Sequence, residues 1–498
     1  MVLTDGDVLR GEPFEDPAYL PSRNASAYRP LHTFELPKGV EKHYQQQYAD
    51  MYFLRLAQLK KFVRQNAKDA WEDFELGEEK AKYVERVLDV RQGELCWVVG
   101  TVYMEMNLKP NVLDDISKEH WIAAPPPRET YVSTSGRDDM MLEDESGRLR
   151  VTGDSLNTHY VTGCVLAALG TEQADGSFQV IATQYADLPR QPQRWEREDS
   201  ELTVAKKPKP KREKAGKVAI VSGLEMTGKE DDDLTLDLLL EYLTGEATGP
   251  PDQSSVAKIT RLIIAGNSLS HASPILSRED FTAKKGGLKK HYGYDSTSYN
   301  ASPAEKLDSF LSELLPTVPV TILPGTSDPA NVALPQQPLH PALFPLSRPY
   351  ANPPAQSNET LSGLDSVTNP WEGDIEGWRV LGTSGQTVDD LLKYVDGVEP
   401  LEVMEMMLRW RCIAPTAPDT LWCYPFQDDD PLVVQDCPHV YFAGSMRKFE
   451  KRVIDGPAGQ RVLLVCVPRF RESRQVVLVD MESMDVELVE VGVVQPGS

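Results

Sequence analysis

The residues with chemical potential stand at four places where an apolar run halts at a glycine. They are Ser222-Gly223-Leu224, Gly266-Asn267, Gly325-Thr326-Ser327-Asp328 and Gly444-Ser445-Met446. In open α/β sheets chemistry gathers on the loops beyond the carboxyl ends of the strands, so these are the loops to test. Such loops can carry two divalent cations roughly 3.5–4 Å apart with an activated bridging water, given a set of Asp, His and Asn donors. Here Ser222, Thr326, Ser327 and Ser445 offer hydroxyls, Asn267 a neutral amide, Met446 a thioether, and Asp328 alone a carboxylate. A neutral amide does not offset two dications, so we expect no metal, no cofactor and no catalytic residue at these positions. His271, His291, His340 and His439 could regroup around Asp328, but nothing in their spacing demands it. No P-loop, GxSxG elbow or paired zinc cysteines occur elsewhere.

Elements of two kinds must position these residues. From Val218 onward, continuous apolar runs (VAIVSG, ITRLIIAGN, VPVTILPG) alternate with amphipathic helical stretches, the pattern of strands buried on both faces under helices. Ser302-Pro303-Ala304-Glu305 reads as a capping box opening a helix through Leu315. Later runs (HVYFAGS, KRVIDG, RVLLVCVPRF, QVVLVDM) lack intervening helices and suggest a second sheet packed on the first. Upstream, short strands with turn signals at Asp144-Gly147 and Ala174-Ser177 make a small barrel over 93–190, with lengths that suit an OB-fold.

Before the barrel, Glu41 to Ala70 has the spacing of a long helix with Tyr44, Tyr48, Met51, Tyr52, Leu56, Leu59 and Phe62 on its apolar face. The expected organisation is an arm at 1–38, mostly flexible, a helical segment at 39–92, the barrel at 93–190, a linker at 191–217 and an α/β domain at 218–498. Within the linker, Lys206, Lys207, Lys209, Lys211, Arg212 and Lys214 read equally as a solvated connection or as a nuclear import signal.

The chain has 498 residues, 52 Lys plus Arg and 76 Asp plus Glu, a formal net charge of −24. Such a surface repels phosphate backbones, so nucleic-acid contact is expected to be local or to come through a partner. Six scattered cysteines without a CxxC pair read as reduced, mostly buried thiols of an intracellular protein. No apolar run is long enough for a membrane span and no secretory leader is apparent, so the Asn24-Ala25-Ser26 sequon reads as chance.

The strand-end succession has the rhythm of a calcineurin-like metallophosphoesterase, departing from it where Asp-x-His, Gly-Asp, Gly-Asn-His-Asp and Gly-His-x-His would stand. A barrel followed by such a stripped domain resembles the B-subunits of eukaryotic replicative DNA polymerases, most closely the small regulatory subunits of DNA polymerase delta. The resemblance rests on Gln45-Gln46-Gln47-Tyr48-Ala49 with Tyr52 and Arg55, on Leu142-Glu143-Asp144-Glu145, and on Arg261 through Asn267. It continues in LPQQPLHP (334–341), LGTSGQ (381–386), PTAPDT (415–420) and His439-Val440-Tyr441-Phe442. The basic run and the stretch 286–301 look like additions to the family's core.

This resemblance implies an inactive calcineurin-like phosphoesterase domain and a nuclear, non-catalytic scaffold in DNA replication and repair synthesis. The scaffold would bridge the cysteine-rich C-terminal domain of the catalytic subunit to a third subunit, reaching the sliding clamp and DNA indirectly. The alternatives are a B-subunit of polymerase alpha or epsilon and an active metal-dependent phosphoesterase. A direct single-strand binder ranks last, because the barrel carries Asp138, Asp139, Glu143, Asp144 and Glu145 where basic residues among aromatics are needed. Trp422, Tyr424 and Phe426, on a loop stiffened by prolines, are candidate partner anchors; folding back over the sheet is the other role open to them.

Overall fold

In the computed structural model of the chain, the described residues are 22–37, 46–110, 128–134, 138–153, 156, 159–209, 211–227, 233–246, 250–270, 301–351 and 363–492. The first element already departs from expectation. Within the arm read as mostly flexible, Tyr28–Leu31 forms β1 and pairs antiparallel with a strand some 340 residues away. Sequence periodicity could not reveal this, because a four-residue edge strand containing Pro30 has no pattern of its own.

Helix α1 (Tyr48–Trp71) follows and buries Met51, Arg55, Leu56, Leu59, Val63, Ala67 and Trp71. The expected start at Glu41 and the expected face residue Tyr44 lie outside the described residues, and Tyr48 is 44% exposed. Met51, Leu56 and Leu59 of the expected face are buried and Tyr52 and Phe62 half-buried, while Arg55, Val63, Ala67 and Trp71 extend the buried stripe. The remainder of the segment read as helical is short extended structure: β2 (Glu75–Leu76), β3 (Glu79–Lys80) and β4 (Lys82–Val84).

Strands β5 (Leu95–Glu105), β6 (Asp139–Glu143), β7 (Arg148–Thr152), β8 (Val165–Glu172) and β9 (Phe178–Tyr185) hydrogen-bond in the order β5-β6-β7-β9-β8, and β5 pairs with β8. The ring is therefore closed, with β7 and β9 parallel, as in an OB-fold. Both turns sit where expected. Asp144 accepts from the N–H of Ser146 at 2.7 Å, and Asp175 from that of Ser177 at 3.0 Å, each aspartate organising its hairpin by bonding forward to the backbone. Helix α1 packs across β5, β8 and β9 and closes one face of the barrel.

The segment read as a linker contains α2 (Glu196–Val204), and its last residue, Lys217, opens β10 (Lys217–Val221). Beyond it come α3 (Asp233–Thr244), α4 (Pro250–Val256), β11 (Ile259–Ala265), α5 (Ser302–Leu314) and β12 (Val320–Leu323). Ala301 is the N-cap of α5, so Ser302 and Pro303 occupy its first turn, where the sequence placed Ser302 at the cap. Proline's fixed φ suits that first turn, which starts the helix one residue early.

The chain continues through α6 (Arg348–Ala351), β13 (Leu364–Ser366), β14 (Trp371–Ile375), β15 (Trp378–Thr383), α7 (Gln386–Tyr394) and α8 (Pro400–Arg409). It ends with β16 (Val440–Met446), β17 (Glu450–Asp455), β18 (Arg461–Pro468), α9 (Phe470–Ser473), β19 (Gln475–Asp480) and β20 (Val486–Glu490).

Two six-stranded sheets result, ordered β13-β12-β11-β10-β19-β20 and β1-β14-β15-β16-β18-β17. The second sheet is present as expected, but β19 and β20 return to the first, where β19 pairs antiparallel with β10. Their inner faces share a core that includes Ile220, Ile263, Trp371, Phe442, Val465 and Val477. Helices α3 and α5 cover the outside of the first sheet. Helices α7 and α8 lie between the second sheet and the barrel, within one apolar cluster that includes Val98 of the barrel and Cys466 of the second sheet. Barrel and sandwich thus share a core. The carboxyl ends of parallel strands β10, β11, β12, β15 and β16 point the same way and gather the strand-end loops.

Candidate functional site

Five of the seven strand-end positions named from the sequence converge. Buried Ser222 Oγ donates to the carbonyl of Ala265 at 2.6 Å, accepts from the N–H of Ser445 at 2.8 Å and lies 3.2 Å from Ser445 Oγ. Asn267 Nδ2 donates to Ser445 Oγ at 2.8 Å, while its Oδ1 accepts from the N–H and the hydroxyl of Ser327, both at 3.1 Å. Asn267 and Ser445 hold left-handed backbone (φ 54° and 57°), the sharp exit that turns each strand end across the cluster. Gly266 is required there, since a Cβ would stand 2.2 Å from that of Ser384.

Asp328 lies beneath, 6% exposed, and accepts from the N–H groups of Leu269 and Gly325 at 2.8 Å and of Ser268 at 3.2 Å. Burial still pushes its carboxyl up to about 6, the three amides offsetting only part of the desolvation. Of the other two positions, Thr326 is exposed and Met446 is packed into the apolar core, so neither faces the cluster.

A second network adjoins the first, and sequence reasoning missed it. Asn369 Nδ2 donates to Gln336 Oε1 at 2.8 Å, to Ser384 Oγ at 2.6 Å and to Gln386 Oε1 at 2.7 Å. Gln336 Nε2 returns to the carbonyl of Gly325 at 3.2 Å, tying it to the third strand-end loop. The available signal was the set of amides and hydroxyls inside LPQQPLHP and LGTSGQ. As a donor set, the strand ends present neutral hydroxyls and amides bonded to one another, and a carboxylate spent on backbone. Such a set satisfies itself and does not fit a pair of dications. Among the described residues, no three His, Cys, Asp or Glu side chains come together as a metal-holding group.

The loop bearing the candidate anchors is wedged between barrel and sandwich. Arg55 of α1, 3% exposed, donates to Asp430 Oδ2 at 2.9 Å and to the carbonyls of Pro415 and Ala417 at 3.0 and 2.9 Å. Thr416 and Thr420 both donate to buried Asp390 at 2.6 Å, and Lys109 Nζ reaches Asp419 at 2.7 Å. Asp390 is held above the usual carboxylate range by burial, partly relieved by those two hydroxyls. Gly163 of the barrel (φ 88°) meets the carbonyl of Pro415, where a Cβ would stand 1.8 Å away. Of the three rings, Phe426 is buried, Tyr424 is half-buried with its ring centroid 5.1 Å from that of Phe426, and Trp422 is 62% exposed. The loop therefore folds back through Phe426 and Tyr424 and leaves Trp422 as its accessible ring.

The basic run is divided. Lys206, Lys207, Lys211 and Lys214 are exposed. Lys209 and Arg212 both pair with Asp199 of α2, and Arg212 also lies 4.4 Å from the ring centroid of Trp195. Of the four histidines, His271 and His291 fall outside the described residues and His340 is exposed. His439 is buried, accepts from the N–H of Arg379 at 3.1 Å and is pushed down to about 4 by desolvation. All six cysteines are free and buried. Among the described residues, no helix is long and apolar enough to cross a membrane.

Two family models match the chain. Residues 47–183 match the OB-fold domain of DNA polymerase delta subunits, and residues 218–451 match the B-subunit domain of DNA polymerases alpha and epsilon. A DNA polymerase delta small subunit of Arabidopsis thaliana is 37% identical over 93% of this chain and 95% of its own length. The protein of that name from Oryza sativa is 35% identical over 89% of this chain and 93% of its own. The one from Saccharomyces cerevisiae is 33% identical over 91% of each.

Proposed function

The chain belongs to the family of DNA polymerase delta small subunits, and from that premise we propose that it is a non-catalytic scaffold whose phosphoesterase-like strand ends have become structural. The observation that carries this reading is the self-satisfied cluster of Ser222, Asn267, Ser327 and Ser445 above Asp328. Within this cluster the side chains of Ser222, Asn267, Ser327, Asp328 and Ser445 are bonded to other parts of the protein instead of being turned toward a metal or a phosphate. A rigid two-sheet sandwich sharing its core with a barrel keeps partner surfaces in fixed geometry, which is the use left to a fold without its chemistry. The scaffold bridges the cysteine-rich C-terminal domain of the catalytic subunit to a third subunit, in the nucleus, with the exposed lysines of 206–214 serving import. The domain limits 93–190 and 218–498 are the working boundaries for dissecting it.

The test is co-expression with the polymerase delta catalytic subunit, intact or lacking its cysteine-rich domain, alongside a manganese-supplemented phosphodiester assay on the chain alone. A stoichiometric complex lost with that domain, and no turnover, are expected. Turnover with two bound ions, or no complex with the intact catalytic subunit, overturns the reading.

A further inference from the structure

The face around Trp422 has a composition that points to its occupant. Three segments meet there. Leu334 forms an isolated bridge with Cys423, its N–H donating to the carbonyl of Trp422 and its carbonyl accepting from the N–H of Tyr424, both at 2.7 Å. Cys423 in turn packs on Met51 of α1, sulfur to sulfur 3.5 Å. Around this seam three large apolar side chains stand in solvent: Val332 at 79%, Trp422 at 62% and Tyr48 at 44% exposure. Asp50, Asp428 and Asp429 are exposed along the same segments, and among the described residues Asp50 and Asp429 accept from neutral amides: Gln427 donates to Asp50 at 3.2 Å and Gln58 to Asp429 at 2.6 Å.

Residues 46–54, 307–347 and 412–446 contain no Lys or Arg. Among the described residues, cations that reach these segments from elsewhere are committed: Arg55 to Asp430, Lys109 to Asp419, Arg379 to Asp436 and Arg469 to the carbonyl of Ser445. An apolar seam rimmed by carboxylates, on three converging segments that carry no Lys or Arg of their own, complements one chemistry, an amphipathic chain carrying Lys or Arg beside Leu or aromatic anchors.

We propose that the seam of Tyr48, Val332 and Trp422 with its Asp50, Asp428 and Asp429 rim is the docking surface for a cationic amphipathic segment of a partner protein. This rests on the scaffold reading and specifies one of its surfaces. Trp422 inserts as the central apolar contact and the aspartates pair with the rim cations of the partner.

The full chain is titrated with a labelled synthetic helix of Leu and Lys, and with its counterpart in which Glu replaces Lys, while thermal stability is followed in parallel. The Lys peptide is expected to bind, with a blue shift in tryptophan emission absent from W422F, and the Glu peptide to bind at least about tenfold more weakly. The pair W422A with V332S lowers affinity by about tenfold at unchanged thermal midpoint, since truncating a central aromatic anchor has an effect of that size. Raising salt from roughly 0.05 to 0.5 M weakens binding further, as expected for exposed charges.

Undiminished binding by the folded double variant overturns the proposal, because attraction to a −24 chain at large would then suffice. So does concentration-dependent dimerisation abolished by W422A, which would make a second copy the occupant. Complex formation with the catalytic subunit is read separately. A complex that forms while peptide binding ignores Trp422 removes this surface and leaves the scaffold; the reverse removes the scaffold and leaves the surface.

Discussion

Two buried titratable side chains give the protein opposing responses to acid. Asp328 has its carboxyl raised from 3.8 to about 6, so the folded chain holds its proton more tightly than the unfolded one. Stability from this group is full below pH 3.8 and is lost as pH rises through 6, roughly 3 kcal/mol in all. Neutral His439 works the other way. Its imidazole is lowered from 6.5 to about 4, so its contribution is full above pH 6.5 and lost as pH falls toward 4. The two trends cancel in part between pH 4 and 6, and substitution separates them. D328N keeps one oxygen for the amides of Gly325 and Ser268 and leaves that of Leu269 without its acceptor, so it lowers stability at every pH while it is expected to remove a decline of about 1 kcal/mol between pH 5 and 7. H439N, which keeps an acceptor for Arg379, is expected to lessen the loss of stability below pH 6. Thermal midpoints across that range check both; a D328N profile parallel to that of the natural chain would show that Asp328 is ionised throughout.

Among the elements, the loop from Ala414 to Phe426 does the joining of barrel to sandwich. Its sequence offered aromatics among prolines, and either role, anchor or lining, suited that composition. The structure divides the two along the loop, because its first half supplies carbonyls and hydroxyls that Arg55 and Asp390 require once buried, and its tip does not. R55A strands Asp430 and two carbonyls inside the protein and is expected to cost about 3–5 kcal/mol. W422A, at an exposed site, should lie within about 0.5 kcal/mol of the natural chain. G163A drives a Cβ into the carbonyl of Pro415 from a backbone conformation that disfavours it, and should loosen the barrel from the sandwich. Hydrogen exchange that rises at 414–420 in R55A and G163A but not in W422A would bear this out; uniform protection in all three would show that the wedge carries no load.

At this scale the strings behind the family resemblance also become intelligible. Tyr52 donates to Glu143 at 2.7 Å, Arg55 to the carbonyls of Pro415 and Ala417, and Gln386 to Gln336 at 2.8 Å. Motif residues far apart in sequence are one another's hydrogen-bond partners. Local periodicity cannot express such pairings, which is why the strands and helices were legible and the amide network around Asn369 was not.

For the molecule as a whole, the least legible part is the one that joins everything. Continuous apolar runs announced the strands and hairpin turns announced the barrel, but residues 22–37 carry no periodic signal, only single side chains with distant partners. Arg23 donates to the carbonyls of Ile259 and Leu243 at 2.6 and 2.8 Å, on the side of the first sheet. Tyr28 covers fully buried Arg261, whose guanidinium carbon is 3.6 Å from the ring centroid, and its hydroxyl bonds Asp365. Strand β1 then pairs with β14 of the second sheet, and Phe34 enters the core shared with the barrel. One short segment therefore clamps three layers. Y28F removes one hydrogen bond and should cost about 1 kcal/mol. Y28A also uncovers a buried cation and opens space beside Trp371, and should cost about 3 kcal/mol or more. Removing residues 1–31 deletes β1 and leaves β14 as an open edge, so aggregation should follow, together with faster hydrogen exchange in β14 and at the start of β11. Exchange in β8 and β9 should hardly change, because the barrel closes on itself without the strap. If β11 kept its protection in the truncated chain while β14 lost it, the strap would belong to the second sheet alone, and the contacts of Arg23 and Tyr28 with the first would carry no stability.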